Sequence, residues 1–336
     1  MKILSISIAA YNVEEYLSNC LNSFIDEGNP LMDQVEVLIV NDGSNDSTAT
    51  IGKEYEQRYP NTFRLIDKKN GGYGSTINAS LAVATGKYYK LVDGDDWVDT
   101  EAFYKLVAFL SDCDSDMVIS KYCFVSDVDG SKRIASRSIP FDGITKDFNQ
   151  LKGEDAFEMH YLSFKTDILK EHHIRITEKC FYTDVEYMLK PIPFIETFAA
   201  LDECVYMYRI GREGQSVSIS SWQKNIDMAL KVTFELLAFY NKLSSEELSE
   251  IKRAYIFNRI EGTAEGKYKI FLSFVPNKKT KTKLINYDKD LKAANVDIYE
   301  ACMRNKFVKI LRTSGFSLYH PMSKVYRIHL KHTNQL

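Results

Sequence analysis

The chain has 336 residues, enough for one large domain and a smaller appendage, and its 45% hydrophobic and 26% charged residues exclude a disordered or collagenous protein. Its net charge of −3 divides unevenly: from Lys267 onward fifteen Lys/Arg face four acids, a balance of +11, which leaves −14 on the first 266 residues. Six widely spaced cysteines without a CxxC pair exclude a zinc knuckle and a disulfide framework, and point to free thiols in a reducing cytoplasm.

The first run, Ile3–Ala9, reads as a buried strand rather than a signal peptide, because it passes straight into Tyr11-Asn12-Val13 with no cleavage site. Val35–Val40, Phe63–Asp67, Tyr88–Val92 and Met117–Val125 are further β-rich runs. Between them Val13–Ile25, Ser47–Tyr59, Ser75–Ala84 and Thr100–Leu110 space their apolar residues as helices do. This alternation predicts an α/β fold with a doubly wound, mostly parallel sheet, whose ligands bind at the carboxyl ends of the strands. Farther on, Asp127–Ser131 is turn chemistry between extended runs and predicts a hairpin. Residues 157–173 and 184–190 read as helical, and Cys204–Arg209 as a last strand. From Trp222 the apolar residues follow one helical face, and Ser244 with Glu247 is a capping-box signature for the next helix. No apolar run approaches the roughly 18 residues of a spanning helix.

Four segments fall at strand ends. Ala9-Ala10-Tyr11-Asn12 follows the first strand. Asn41-Asp42-Gly43-Ser44-Asn45-Asp46 follows the second; Asp46 or Ser47 can cap the next helix, leaving Asp42 free to accept the imide proton of a uracil-type base, although an ordinary turn is the plain alternative. Lys69-Asn70-Gly71-Gly72-Tyr73-Gly74 offers three glycines for close backbone approach to a ligand before a helix N-terminus. Leu91-Val92-Asp93-Gly94-Asp95-Asp96-Trp97 crowds three carboxylates that repel one another unless a hard cation such as Mg²⁺ compensates them; a solvated acidic turn is the bland alternative.

Taken in order, Ala-Tyr-Asn, Val-Asn-Asp-Gly-Ser, Asn-Gly-Gly with Asn78, Ala-Thr-Gly-Lys-Tyr and Val-Asp-Gly-Asp-Asp-Trp resemble the family 2 glycosyltransferases of the GT-A fold. The resemblance is close over residues 3–100 and looser to about 220. It implies a GT-A catalytic domain over 1–221, with nucleotide-sugar binding in 1–100 and the acceptor and catalytic half in 101–221, followed by a helical, basic region over 222–336. It implies that Ala10, Tyr11, Asn12, Asp42, Asn70 and Gly71 border the nucleotide. Asp93-Gly94-Asp95 matches the DxD motif, with Asp93 near ribose and sugar and Asp95 and Asp93 holding Mn²⁺ or Mg²⁺.

Phe181-Tyr182-Thr183-Asp184 resembles the family's Glu-Asp motif, which makes Asp184 the catalytic base. Thr183 departs from the usual Glu, and Glu186 is a rival that should face elsewhere. Tyr206-Met207-Tyr208-Arg209 with Gly211-Arg212 resembles the loop that ends the domain, so that Arg209 and Arg212 clamp the diphosphate beneath a mobile lid.

The implied activity is inverting transfer of a hexose or N-acetylhexosamine from a nucleoside-diphosphate sugar, UDP before dTDP or GDP, to a hydroxyl of a glycan, lipid-linked or glycoprotein acceptor. The alternative is a degenerate homologue serving as a partner subunit. A tail with seven Lys/Arg and no acid after Glu300 suggests either peripheral attachment to the anionic inner face of the cell membrane or packing on the catalytic domain. Nucleic acid is not expected, since no binding motif accompanies the charge.

Overall fold

The computed structural model describes residues 2–135, 137–151, 157–211, 215–243 and 248–332, and the chain forms two compact units, 1–212 and 213–336. The first unit is built on a ten-stranded mixed sheet. Its parallel half comprises β1 (Leu4–Ala10), β2 (Val35–Asn41), β3 (Phe63–Asp67) and β4 (Tyr88–Asp93), in the order β3-β2-β1-β4. β1 and β2 are covered on both faces, which is why their sequences are nearly continuous apolar runs rather than alternating ones. Ile6 and Ile8 are fully buried, and truncating either to Ala costs about 2–5 kcal/mol.

Helices α1 (Glu14–Asn22), α2 (Thr48–Arg58) and α3 (Tyr73–Val83) cross between these strands. Asp46 caps α2 by accepting from Thr48 N at 3.0 Å, and its other oxygen accepts from Glu14 N at 3.1 Å; Glu14 in turn accepts from Ser47 N at 2.8 Å. The turns after β1 and β2 are thereby locked together.

Beyond β4 come the two-residue β5 (Trp97–Val98), α4 (Thr100–Asp112), β6 (Met117–Ser126), β7 (Lys132–Ile134), β8 (Lys146–Asp147), β9 (Leu162–Lys165), α5 (Thr166–Glu171), α6 (Asp184–Leu189) and β10 (Thr197–Ile210). β6 and β7 form the hairpin expected at 127–131, with Gly130 at φ +70°. The helical expectation over 157–173 is corrected. That stretch holds a 3-10 turn at Met159–Tyr161, then β9, then the short α5. β9 inserts antiparallel between β4 and β6, and its four residues, Leu162–Lys165, are too few for their alternation to stand out in the sequence. The last strand is also longer than expected, running from Thr197.

The second unit is helical: α7 (Ile219–Lys224), α8 (Ile226–Lys242), α9 (Glu250–Ser273), α10 (Lys278–Ala294), α11 (Val296–Ala301), α12 (Lys306–Thr313) and α13 (Tyr319–His332). Ser244 and Glu247 lie outside the described residues; the N-cap of α9 is Ser249, whose side chain accepts from Lys252 N. α9 is the axis, burying Tyr255, Ile256, Ile260, Tyr268 and Phe271. Arg312 of α12 is an internal strut that donates to Asp288 at 2.7 Å and to the Tyr268 hydroxyl at 2.7 Å, and stacks 3.5 Å from the Tyr299 ring. Among the described residues no helix is long and apolar enough to cross a membrane.

Candidate active site

Because β1 to β4 run parallel and in register, their carboxyl ends gather four turns at one edge of the sheet. Tyr11 and Asn12 leave β1, Asp42 leaves β2, Asn70 and Gly71 follow β3, and Asp93, Gly94 and Asp95 close β4. Ala10 is buried beneath them and accepts through its carbonyl from Asp42 N at 2.9 Å. Asn12 sits at φ +52°, a strained setting for a side-chain-bearing residue, and it is held there at both ends. Its N–H donates to Ser44 Oγ at 2.9 Å and its Oδ1 accepts from Asn45 N at 2.9 Å. Tyr11 beside it is exposed.

Asp42 takes no part in capping α2, which Asp46 serves, but it already has partners within the protein. Its buried carboxylate accepts from Lys68 Nζ at 2.6 Å, Gly71 N at 2.9 Å, Gly72 N at 2.8 Å and Ser75 Oγ at 3.3 Å. Asn70 Nδ2 adds a bond to the Asp42 carbonyl at 3.0 Å. Asp42 therefore shapes the glycine loop, and any base that reaches it must share it with Lys68. Two of the three glycines also serve a different neighbour from the one expected. A Cβ on Gly74 would lie 2.2 Å from the Thr177 carbonyl oxygen, and one on Gly72 (φ +80°) would lie 3.1 Å from the backbone of Lys179 and Cys180. They admit the protein's own 176–180 segment. Asn78 fastens the same segment, donating to the Ile176 carbonyl at 2.8 Å and accepting from Ile176 N at 2.9 Å.

At the end of β4, carboxylate oxygens of Asp93, Asp95 and Asp96 lie within 4.8 Å of one another. They divide into two roles. Asp96 is buried, with one oxygen accepting from the Tyr206 hydroxyl at 2.6 Å and the other from Arg209 N at 2.8 Å, so it braces β10. Asp93 is half-buried and accepts from the Tyr73 hydroxyl at 2.8 Å. Burial, with the charges of Asp95 and Asp184, raises the Asp93 pKa to about 7 against the Tyr73 hydrogen bond. A pair of carboxylates held at such electrostatic cost is a donor set suited to a hard divalent cation, which would be taken by Asp95 and Asp93. Gly94 is required by packing, since a Cβ there would lie 2.9 Å from the Ala9 carbonyl oxygen.

Asp184 is the first residue of α6, and its charge raises the pKa of both Tyr73 and Asp93, after the larger effect of burial on each. It thus acts electrostatically on the end of β4. Thr183, where the family's Glu usually stands, is fully buried at the N-cap and makes no side-chain cap bond. Glu186 is also fully buried; it accepts from Thr177 N at 2.8 Å and from Lys190 Nζ at 2.6 Å. Its carboxylate holds the 176–180 segment.

Arg209, expected to clamp the diphosphate, is engaged within the protein in this structure. Its guanidinium donates to the Asp95 carbonyl at 2.9 Å and to Asp127 at 2.5 Å, and lies over the rings of Tyr16 and Trp97 at 4.9 and 4.8 Å. Its other expected partner, Arg212, lies outside the described residues.

Sequence reasoning missed Lys68 and the aromatic wall behind the carboxylates. The His160 ring stacks on Tyr208 with centroids 4.5 Å apart and meets Tyr206 edge-on at 4.6 Å. Beneath them lies the fully buried Lys90, whose ammonium donates to the His160 carbonyl at 2.7 Å; burial lowers its pKa to about 7. Lys90 stood three residues before Asp93 as the one charge in an otherwise apolar run, a signal that was available.

The family model described as "Glycosyl transferase family 2" matches residues 5–172. The chain is 38% identical over 96 residues to EpsH of Bacillus subtilis (strain 168), a match spanning 29% of this chain and 27% of that protein. It is 38% identical over 94 residues, 28% of this chain and 10% of the relative, to the minor teichoic acid biosynthesis protein GgaB of the same strain. The matches thus span about a quarter or less of these relatives' lengths. Among solved structures, S. aureus TarS 1-349 in complex with UDP-GlcNAc superposes with a TM-score of 0.70 at 20% identity, covering 98% of this chain and 92% of that one, which shows a shared fold. With half its length matched by the family model, the chain belongs to glycosyl transferase family 2.

Proposed function

We propose that the chain is an inverting glycosyltransferase that moves one hexosyl or N-acetylhexosaminyl group from a nucleoside-diphosphate sugar to a hydroxyl acceptor in a single displacement. The observation that carries this reading is the meeting of Asp93 and Asp95 at the end of β4 with a third carboxylate, Asp184, brought into their field from α6. A UDP-sugar is the favoured donor, supported by the UDP-GlcNAc named for TarS, a protein of the same fold. In this reading the exposed Tyr11 ring and Asn12 flank the base, Asn70 and Gly71 border it, and Lys68 with Asp42 forms the floor.

A divalent cation, Mn²⁺ or Mg²⁺, held by Asp95 and Asp93, supplies Lewis-acid neutralisation of the leaving diphosphate when bound. Asp184 accepts the acceptor hydroxyl's proton as that oxygen attacks the anomeric carbon opposite the diphosphate, help worth about 10²- to 10⁴-fold in rate. Tyr73 keeps Asp93 oriented through its hydroxyl. One attack on the opposite face gives inversion, so an α-linked donor gives a β-linked product.

The acceptor class we assign is a glycan, lipid-linked or glycoprotein hydroxyl; the name of GgaB supports an envelope polymer. The reading places the enzyme in the cytoplasm, where cysteines outside any disulfide persist as thiols, and peripherally on the inner face of the cell membrane. A degenerate, non-catalytic homologue remains the second reading, resting on Thr183. Donor turnover with added Mn²⁺ separates the two. We expect EDTA and Asp95→Ala each to abolish turnover while the fold survives, and full activity in chelator would overturn the metal assignment.

A further inference from the structure

Helices α12 and α13 carry apolar and basic side chains together on their outer surface. α12 packs inward through Val308 and Leu311, and α13 through Tyr319, Ser323 and Leu330. Tyr319 donates to the Phe271 carbonyl at 3.1 Å and Ser323 to the Leu272 carbonyl at 2.8 Å, so the inner side of α13 is satisfied by α9. The outer side is apolar as well. Phe307 and Ile310, one helical step apart, are 37% and 42% exposed; Val325 and Ile328, spaced alike, are 68% and 56% exposed. The Phe307 ring meets Tyr326 of α13 at 5.6 Å, so the two helices touch there, while Val325 and Ile328 lie on another side of α13 in one stripe with Lys324 and Lys331.

Cations are interleaved with them. Lys306, Lys309, Lys324 and Lys331 are exposed, and among the described residues none of the four is paired with a carboxylate. Arg312 does not belong to this set, being buried against Asp288. No acid follows Glu300 to balance the charge.

Three occupants could cover such a face, and their chemistry separates them. A soluble polyanion would pair with the lysines but gain nothing from Val325 and Ile328. A second copy of the chain would set the same lysines against one another. An anionic bilayer satisfies both components: the apolar side chains enter the headgroup boundary while lysine stems reach up to lipid phosphates.

We propose that the α12–α13 face docks on an anionic lipid bilayer and holds the chain at the membrane surface. This deepens the peripheral placement given above and is independent of the sugar moved, so a chain that turns over donor yet ignores vesicles would fail here alone.

The test is co-sedimentation of the full chain with phosphatidylglycerol-rich vesicles and with pure phosphatidylcholine vesicles. Binding should favour the anionic vesicles and fall with salt. Ile310→Ser with Ile328→Ser, and separately Lys306→Gln with Lys309→Gln, should each lower partitioning by about tenfold. Circular dichroism and melting temperature serve as the fold control for both. No binding to anionic vesicles at low salt overturns the proposal. So does binding that the lysine pair weakens but the isoleucine pair leaves unchanged, the behaviour of a plain polyanion contact. A concentration-dependent dimer abolished by the isoleucine changes would assign the face to a second copy and equally overturn it.

Discussion

Replacing Asp42 by Asn separates two jobs that one carboxylate could do, reading a base and holding a loop. In the structure its oxygens accept from Lys68, Gly71, Gly72 and Ser75, and the side chain is 4% exposed. An Asn has one acceptor oxygen, so its amide nitrogen must face at least one of these donors, and Lys68 loses its counter-charge. Hydrogen bonds to a charged group contribute about 1.5–3 kcal/mol each. Lys68 is 24% exposed and water recovers part of its loss, so a net cost of about 2–4 kcal/mol is expected. At about 2–4 °C per kcal/mol for a unit of this size, the melting transition that UDP raises should fall by about 4–16 °C. Calorimetric melts of the wild type, Asp42→Asn, Lys68→Met and the double variant measure it, and the cycle should show positive coupling between the pair. An unchanged melting temperature, with uridine nucleotides selectively lost against guanosine ones, would refute the loop-holding role and restore Asp42 as a base reader.

Asp184→Asn should keep nucleotide affinity and lose transfer by about two to four orders of magnitude. Glu186→Gln should instead lower the melting temperature by freeing Thr177 N and Lys190; if it were the more damaging to turnover, the base has been misassigned. Lys90 gives a pH signature. Burial lowers its pKa to about 7, so the unfolded chain holds a proton that the native one releases between about pH 7 and 10.5, and stability rises with pH across that window. Lys90→Met should lack this rise in denaturant melts at pH 6.5 and 9.5, and parallel curves for the two proteins would contradict a buried, depressed Lys90.

The parallel half of the sheet was legible because its strands are short apolar runs broken by amphipathic helices, and because buried parallel strands leave no alternation to misread. The insertion of β9 was not, since four residues between a 3-10 turn and a six-residue helix are too short a run for a period to be read. The site divides in the same way. The turns that meet at the sheet edge were located by the alternation of β-rich and helical runs, and the resemblance to the family supplied the roles expected of Tyr11, Asn12, Asn70, Asp93 and Asp95. What each side chain bonds to was hidden, because the partners are far away in the chain: Lys68 is 26 residues from Asp42, and Asp127 is 82 from Arg209. Charged residues near a ligand edge read as ligand contacts until such partners are seen. Glycines misled for the same reason, since the segment that Gly72 and Gly74 admit lies about a hundred residues downstream.

The central claim is a single displacement between the Asp93–Asp95 pair and Asp184, and its stereochemistry tests it most directly. Time-resolved proton NMR of an α-linked UDP-sugar turned over with Mg²⁺, to avoid paramagnetic broadening, should show the β-anomer of the released sugar before mutarotation, with the signal lost in Asp184→Asn. First appearance of the α-anomer, or undiminished β-product from Asp184→Asn, would contradict the account.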